Sequence, residues 1–325
     1  MSTRRRVLLL LKPFDVYPPR ARAAAPSSPP LARPANPQCP HCAFKVRKYL
    51  DDRCKVHRGA IDSCQGVLRR KTVDWEVVMR DELSRPISHV DLVITIGGDG
   101  TLLRASHFMD GSVPVVGVNS DPTKAEEVEE FNNEFDATRS TGYLCAATVE
   151  NFEQVLDEIL EGHRIPSELS RISITLNGVP LSNSLNDVLI AHPCPAAVSR
   201  FSFRIRRDKE WIAPLVNCRS SGLRVSTAAG STAAMLSAGG FTMPIASRGL
   251  QYMVREPILS KPGNHQRMHG LLKPEQSMQL MWYSKEGVVY IDGSHVFHPI
   301  QHGDAIEISS KAATLKVYLP SHLLK

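Results

Sequence analysis

One short stretch constrains the fold more than any other, namely ITIGGDGTLL at residues 94–103. Apolar and β-branched residues lead into three glycines that surround one acid, and an apolar run follows. A buried strand that passes through a glycine turn into a helix is typical of a parallel α/β sheet. Backbone N–H groups and a helix N-terminus then lie at the carboxyl end of that sheet, where such folds bind anions.

The residue types of this turn predict phosphate chemistry. Gly97, Gly98 and Gly100 permit positive φ and let phosphate oxygens reach the backbone without a Cβ in the way. Asp99 would repel a phosphate unless it handles a proton or a metal, and both tasks belong to a phosphotransferase. A plain glycine turn, in which the acid makes a local hydrogen bond, is the alternative on these residues alone. The spacing is neither that of a Walker A loop nor GxGxxG.

The pattern before about residue 166 indicates a parallel α/β domain. Strand-like runs alternate there with helical patterns. The strand-like runs are 7–11, 73–78, 91–96 and 113–118, and the helical patterns are 45–70, 102–108 and 149–162. We therefore predict a Rossmann-like α/β domain over residues 1–147, with 149–162 as a connecting helix.

Short strand-like runs separated by turn residues follow, which is typical of a β sandwich. They are residues 172–176, 185–191, 201–205, 223–227, 278–283, 288–291, 305–308 and 315–319. The prediction is a β-rich, sandwich-like domain over residues 148–325.

Composition excludes two classes of partner. The chain of 325 residues carries a net charge of +6, which favours anionic ligands only weakly. Its basic residues are scattered and are not interleaved with aromatic residues, so a nucleic-acid partner is not expected. No apolar run approaches the roughly 20 residues of a membrane span, so no membrane partner is expected either.

The cysteines and prolines bear on compartment and order. Seven cysteines without a pairing framework indicate reduced thiols and a cytoplasmic protein, and the C-terminal HLLK is no clear peroxisomal signal. Residues 13–40 hold nine of the 23 prolines and are predicted to be a disordered insertion. We interpret Cys39 and Cys42 within it as incidental thiols rather than as a zinc or redox pair, since no partners stand at ligand spacing.

Two further stretches could bind a nucleotide. Asn186 and Asp187 open an apolar run, and an amide beside a carboxylate can bind a ribose diol or a purine amino group. Alone, this pair is a common turn. In NCRSSGLRVSTAAGSTAAMLSAGG, residues 217–240, a strand enters a loop of small residues and then a predicted helix from Ser231. Such a loop lets a ligand lie flat on the backbone, although close helix packing would need the same residues.

Taken together, these blocks resemble the NAD kinase family. GGDGT matches its first motif, LNDVLI its Asn-acidic motif, residues 221–240 its third motif, and YIDGSHVFHPIQHGDAIEI at 290–308 its C-terminal segment. The resemblance implies a two-domain fold with the site between the domains. It also implies transfer of the ATP γ-phosphoryl group to the 2′-hydroxyl of the adenosine ribose of NAD(H), with Mg²⁺ or a similar metal, in a homodimer or larger assembly.

The same resemblance assigns roles to individual residues. Asp99 would orient and deprotonate the hydroxyl, and no residue is assigned as a metal ligand. The phosphate-binding residues would be Gly97, Gly98, Gly100 and Thr101, and the dinucleotide-binding residues Asn186, Asp187, Arg219, Thr232, Ala233 and Ser237.

Two departures from the family pattern point to specificity. Ser221 stands where an Asp is usual, and Ala234 where a Tyr is usual, so a carboxylate and a ring are missing. The form TAAGSTAAM, together with the stretches VNCRSSGLR and CPAAVSRFSF, is similar to the plant NADH kinase branch, which implies a preference for NADH over NAD. The charge of the nicotinamide ring gives a reason, since the reduced ring is neutral and needs no compensating carboxylate.

Two other functions stay open at this point. A lipid kinase of the diacylglycerol or sphingosine type also has a GGDGT loop and a β-rich second domain, but would not be expected to carry the later blocks in this order. A nucleotide-binding sensor without turnover is the other, and the intact Asp99 speaks against it. ATP against polyphosphate as donor is not decided by the sequence.

Overall fold

The computed structural model describes residues 4–14, 40–258 and 267–324. The predicted insertion at 13–40 lies almost wholly outside these ranges, and so does Cys39. The elements of the first half are β1 (Arg5–Leu11), α1 (Pro40–Arg70), β2 (Val73–Met79), β3 (Leu92–Gly97), α2 (Asp99–Ser106), β4 (Val115–Asn119), α3 (Ala125–Phe131), β5 (Ala147–Thr148) and α4 (Phe152–Leu160).

The second half is almost entirely β-structure. Its elements are β6 (Ser167–Leu169), β7 (Ser173–Leu176), β8 (Val179–Pro180), β9 (Asp187–Ala191), β10 (Ser199–Arg207), β11 (Glu210–Trp211), β12 (Val216–Ser220), β13 (Gly222–Ser226), α5 (Ala234–Ser237), β14 (Leu250–Arg255), β15 (His269–Leu272), β16 (Gln276–Trp282), β17 (Glu286–Ile291), β18 (Val296–Gln301), β19 (Ala305–Ser309) and β20 (Leu315–Tyr318). Short 3₁₀ turns cover Ala229–Thr232 and Ser321–Leu323.

The first sheet is the parallel α/β sheet that the sequence predicted. Its strands run in the order β2-β1-β3-β4-β20-β6, with β5 beside β4. The pairs from β2 through β4 to β20 are parallel. Every residue of β3 is buried, because α1 and α4 cover one face of the sheet and α2 covers the other. The carboxyl ends of β1, β2 and β3 therefore share one edge.

The second domain is a sandwich of two antiparallel sheets, which confirms the predicted fold class. One sheet has the order β11-β10-β16-β19-β7-β8 with β12 beside β10, and the other has the order β15-β14-β13-β9-β17-β18. Alternate residues of both sheets point inward and form one core, in which Trp282 and Phe201 stack with ring centroids 6.1 Å apart.

One predicted strand belongs to the other domain. Residues 315–319 were expected in the β-rich domain, but β20 pairs parallel to β4 and antiparallel to β6. Leu315 and Val317 are buried in the same core cluster as Leu8 and Leu10 of β1. The strand covers an edge of β4 that would otherwise present unpaired backbone groups. The boundary at 147/148 itself stays a prediction.

No helix in the described ranges is both long enough and apolar enough to span a membrane. The helix predicted from Ser231 is shorter than expected, since that segment is a 3₁₀ turn followed by the four-residue α5. The sequence also gave no sign of α3, AEEVEEF, none of whose residues is buried. Arg53 of α1 binds Glu127 of this helix over 3.0 Å and so attaches it to the first domain.

Candidate active site

The turn that carries Asp99 joins β3 to α2. Gly97 is the last residue of β3, Gly98 is the extended N-cap residue, and Asp99 begins the helix. The Thr101 N–H donates to the Gly98 carbonyl over 2.9 Å and closes the first turn. The helix thus begins earlier than the predicted residue 102, and its electropositive end lies at Asp99.

The Asp99 carboxylate is held by one neighbouring segment. Oδ1 accepts the Leu144 N–H over 2.8 Å and the Cys145 thiol over 3.7 Å, and Oδ2 accepts the Tyr143 N–H over 2.9 Å. Oδ2 takes only one of these three bonds, so it keeps a lone pair for a substrate hydroxyl. Burial raises the pKa of the Asp99 carboxyl, and the three hydrogen bonds oppose that rise. A fixed carboxyl with a raised pKa suits a general base.

The loop glycines serve close packing rather than unusual backbone angles. None of the three has a positive φ, so the conformational freedom of glycine is not used here. A Cβ on Gly97 would lie 2.2 Å from Thr101 Oγ1, and one on Gly98 would lie 2.2 Å from Ser140 Oγ. Gly100 is open, with only Arg80 Nη1 at 3.9 Å from such a Cβ. The first two glycines let side chains of the protein approach the turn, and the third leaves room above it.

Cationic side chains converge on the same edge of the sheet, and the sequence did not single them out. Lys12 directly follows β1 and Arg80 directly follows β2. Burial lowers the pKa of Lys12, as do the charges of Arg139 and Arg80, while Asp121 opposes the shift. Arg139 donates to Asp121 over 2.9 Å. A shared signal existed, since Lys12 stands one residue and Arg80 two residues beyond a predicted strand.

Asp292 organises the second part of the site. Its buried carboxylate accepts the Ser184 hydroxyl over 2.6 Å and three successive N–H groups, those of Leu185 (2.9 Å), Asn186 (2.7 Å) and Asp187 (3.0 Å). Burial raises its pKa, and these hydrogen bonds oppose the rise. Asp292 has a positive φ of 51°, in the Asp-Gly turn after β17. The sequence matched this dipeptide to the family but gave it no role.

Asp187 and residues on both sides of Asp292 line a cavity of about 500 Å³. Asp187 forms an ion pair with Arg224 of β13, and both line the cavity. Burial raises the pKa of Asp187 and the Arg224 guanidinium opposes it, while the nearby carboxylate of Asp292 adds to the rise. Tyr290 and Ala234 also line this space. An aromatic ring is therefore present in the cavity although Ala234 has none.

The third motif packs directly against the Asn186 turn. A Cβ on Gly230 would lie 2.2 Å from the Asn186 carbonyl oxygen, so only glycine fits there. The Thr227 hydroxyl donates to the Leu185 carbonyl over 2.6 Å. Of the predicted dinucleotide contacts on this motif, Thr232 is half-buried, and Ala233 and Ser237 are exposed. A second cavity of about 420 Å³ is lined by Ser237, Ala234 and Arg224, so the two cavities meet at the last two residues.

Arg219 lies on β12, and Ser221 lies between β12 and β13. Arg219 is exposed on β12, opposite Arg200 of β10, and the structure does not bring it to the cavity of Asp187. The Ser221 hydroxyl donates to the carboxylate of Glu256, which lines the second cavity. Ser221 was expected to remove a negative charge from the site. The carboxylate of Glu256, which directly follows β14, lies beside the Ser221 hydroxyl and restores a negative charge there.

His107 joins the two parts of the site. It caps the C-terminus of α2, and its Nε2 lies 3.4 Å from Asp292 Oδ2. Burial lowers the pKa of His107 to about 4, so the imidazole is neutral at pH 7 and the contact is not an ion pair. Ala229 of the third motif packs in one core cluster with Leu102 and Ala105 of α2. The helix that begins at Asp99 therefore ends against the residue that holds Asn186 and Asp187.

Metal sites and disulfides need particular arrangements of acidic, histidine and cysteine side chains. In residues 4–14, 40–258 and 267–324, no three His, Cys, Asp or Glu side chains are grouped so that they could hold a metal ion. The five cysteines whose side chains are described there are free thiols, namely Cys54, Cys64, Cys145, Cys194 and Cys218. The interpretation of Cys39 and Cys42 lies outside the described side chains and stays a prediction.

Comparison with known proteins supports the resemblance to the NAD kinase family that the sequence motifs indicate. Residues 38–123 match the family model of the ATP-NAD kinase N-terminal domain. A probable NADH kinase of Oryza sativa subsp. japonica is 62% identical over 99% of this chain and 98% of its own length. An NADH kinase of Arabidopsis thaliana is 58% identical over 97% of this chain and 96% of its own length.

Two solved structures share the fold at low sequence identity. Yeast NADH kinase, solved with NADH, has a TM-score of 0.64 at 14% identity and covers 98% of this chain and 84% of its own. An Archaeoglobus fulgidus NAD kinase, solved with ATP, has a TM-score of 0.61 at 16% identity and covers 98% and 95%. At such identities they speak for the fold alone, whereas the two plant relatives span nearly the whole chain and establish that it belongs to the NAD kinase family.

Proposed function

We propose that the chain transfers the γ-phosphoryl group of ATP to the 2′-hydroxyl of the adenosine ribose of NADH, with NAD as the poorer acceptor. The supporting observation is the Asp99 carboxylate, which is fixed at the N-terminus of α2 and keeps a lone pair on Oδ2. The names of the two plant relatives and the ligands of the two solved structures agree with this choice of donor and acceptor.

The proposed step moves one proton and breaks one bond. Asp99 Oδ2 accepts the proton of the ribose 2′-hydroxyl as its oxygen bonds to the γ-phosphorus. The bond from that phosphorus to the β,γ-bridging oxygen breaks, and ADP leaves with the electron pair. Because charge on the transferring group dominates such reactions, positioning and cationic stabilisation do most of the work. Lys12, Arg80 and Arg139 surround the turn and would supply that charge, with Gly97, Gly98, Gly100 and Thr101 at the phosphates.

A divalent cation is part of this proposal. Mg²⁺ is commonly held by one or two carboxylates together with substrate phosphates and water. No cluster of three protein ligands occurs in the described ranges, so the ion would arrive on the ATP phosphates. When bound, it would neutralise charge on those phosphates. Asn186 and Asp187 would contact the dinucleotide from the other side, as would Thr232, Ala233 and Ser237.

The proposal extends to the biological setting of the reaction. The product NADPH would supply reductive and antioxidant metabolism. Free thiols agree with a reducing compartment, and we assign the cytoplasm, with the peroxisome as the alternative. We also propose a homodimer or larger homo-oligomer. Microscopy of tagged chain and light scattering after gel filtration test these two assignments.

The activity test uses one enzyme preparation and four acceptors. Purified chain is incubated with ATP and Mg²⁺ and with NADH, NAD, a diacylglycerol or sphingosine. Formation of NADPH faster than NADP, and no lipid product, supports the proposal. A phosphorylated lipid would identify a lipid kinase, and binding of dinucleotide without any product would identify a sensor. Polyphosphate in place of ATP decides the donor.

A further inference from the structure

An ion pair between Asp187 and Arg224 forms part of the wall of the cavity of about 500 Å³. Asp187 on β9 and Arg224 on β13 belong to neighbouring antiparallel strands. Each side chain is 14% exposed, and the Asp187 carboxylate accepts a hydrogen bond from Arg224 Nη1. Arg224 Nε is buried and has no hydrogen-bond partner in the described part of the chain. The guanidinium is therefore directed to Asp187 by one nitrogen only.

The position of Arg224 makes its charge relevant to any ligand there. Arg224 and Ala234 are the residues shared by the cavities of about 500 Å³ and about 420 Å³. A dinucleotide has two nucleoside halves, and a ligand that spans both cavities must pass these two residues. In a largely buried wall, the field of an unpaired charge is screened less than at an open surface.

NAD and NADH differ in charge at one place only. The nicotinamide ring is cationic when oxidised and neutral when reduced, while the rest of the dinucleotide is the same. An unpaired Asp187 would attract the oxidised ring. With Arg224 beside it, the wall carries no net charge at this point, and that attraction is removed.

We propose that Arg224 is a specificity-determining residue, which neutralises Asp187 in the cavity wall and so favours NADH over NAD. This inference rests on the proposed kinase activity. It differs from the effect expected of Ser221, because it concerns a charge that is present and cancelled rather than one that is missing. Asp292, the other carboxylate near Asp187, is unchanged in every variant below and drops out of the comparison.

The test is the ratio of kcat/KM for NADH to kcat/KM for NAD in two variants. Arg224→Met leaves the carboxylate unpaired, so the ratio should fall, and Asp187→Asn leaves the guanidinium unpaired, so the ratio should rise. For a unit charge at roughly 10 Å and an effective dielectric constant between about 20 and 80, each shift should be roughly 2- to 20-fold. The assay runs at about pH 8.5, well above the usual range of carboxyl pKa values, to keep Asp187 ionised.

Matched variants separate charge from structure. Arg224→Lys retains the charge and should retain the ratio, and the double variant Arg224→Met/Asp187→Asn should return to near the wild-type ratio. Arg206→Met breaks another arginine–carboxylate pair of the sandwich, in which Arg206 Nη2 lies 2.7 Å from Glu307 Oε1, and should leave the ratio unchanged.

The outcomes test the role of Arg224 separately from the proposed kinase activity. Shifts of opposite sign support it. Shifts of the same sign, or unchanged ratios in variants that still turn over, overturn it while leaving the kinase activity intact. A wild-type chain that phosphorylates neither dinucleotide instead refutes the proposed function. If one variant does not fold, the other still decides, since each has its own expected sign, and the ratio of Kd values for NADH and NAD gives a second readout.

Discussion

Replacing Asp292 with Asn should loosen the turn that presents Asn186 and Asp187. The carboxylate accepts three N–H groups and one hydroxyl, and Oδ1 takes three of these four bonds while Oδ2 takes the Leu185 N–H. An amide keeps one acceptor oxygen. In its better orientation the NH₂ group faces the Leu185 N–H and leaves that buried donor unpaired.

The loss of stability follows from the unpaired Leu185 N–H. A buried polar group left without a partner costs about 1–3 kcal/mol. For a chain of this size we expect Tm to fall by roughly 5 °C, using about 2–4 °C per kcal/mol. The less well ordered turn should raise KM for NADH more than it lowers kcat, because Asp99 is held by a different segment.

Asp304→Asn is the matched control. Asp304 also accepts hydrogen bonds in a turn of the sandwich, from the Gln301 N–H at 2.7 Å and from Asn177 Nδ2 at 2.8 Å, but it lies away from the cavities described above. Calorimetry should give a smaller decrease in Tm for this variant, and kinetics an unchanged KM. If Asp292→Asn keeps both the Tm and the KM of the wild type, the carboxylate does not hold the turn.

Three further predictions concern the catalytic loop and specificity. Gly98→Ala should abolish most turnover and lower Tm, because its Cβ would meet Ser140 Oγ at 2.2 Å; a wild-type thermal melt and rate would contradict the packing. The acidic limb of the pH profile of kcat/KM should lie above the usual Asp range, because burial raises the pKa of Asp99 and activity is lost as pH falls through that raised value. A limb below pH of about 3.9 would count against Asp99 as the base. Ser221→Asp should shift the kcat/KM preference toward NAD, but weakly, because Glu256 already places a carboxylate there.

The sequence predicted local features of this fold better than long-range ones. Uninterrupted apolar runs located β1, β3 and β4, since a strand buried on both faces needs them. The placement of β20 could not be predicted in the same way, because its pairing with β4 joins segments far apart in the chain. A strand pattern gives no information about which sheet edge is free to receive it.

In the candidate site, too, the sequence predicted local features better than contacts between distant segments. The glycine turn made Asp99 a candidate site residue. The side chains of Thr101 and Ser140 explain why Gly97 and Gly98 are needed, and they come near these glycines only in the folded protein. Asp292 was visible as part of a matched motif, yet its role depends on three N–H groups from a segment more than 100 residues earlier. Contacts between segments so far apart in the chain cannot be predicted from the local sequence pattern.

The central claim is that Asp99 is the general base of an NAD(H) kinase, and the rate of Asp99→Asn with ATP, Mg²⁺ and saturating NADH tests it most directly. Asparagine preserves the size of the side chain and cannot accept the hydroxyl proton. We predict that kcat falls about 10²- to 10⁴-fold, the usual contribution of a general base, while KM for NADH changes little. A variant that retains wild-type kcat would contradict the assignment of Asp99.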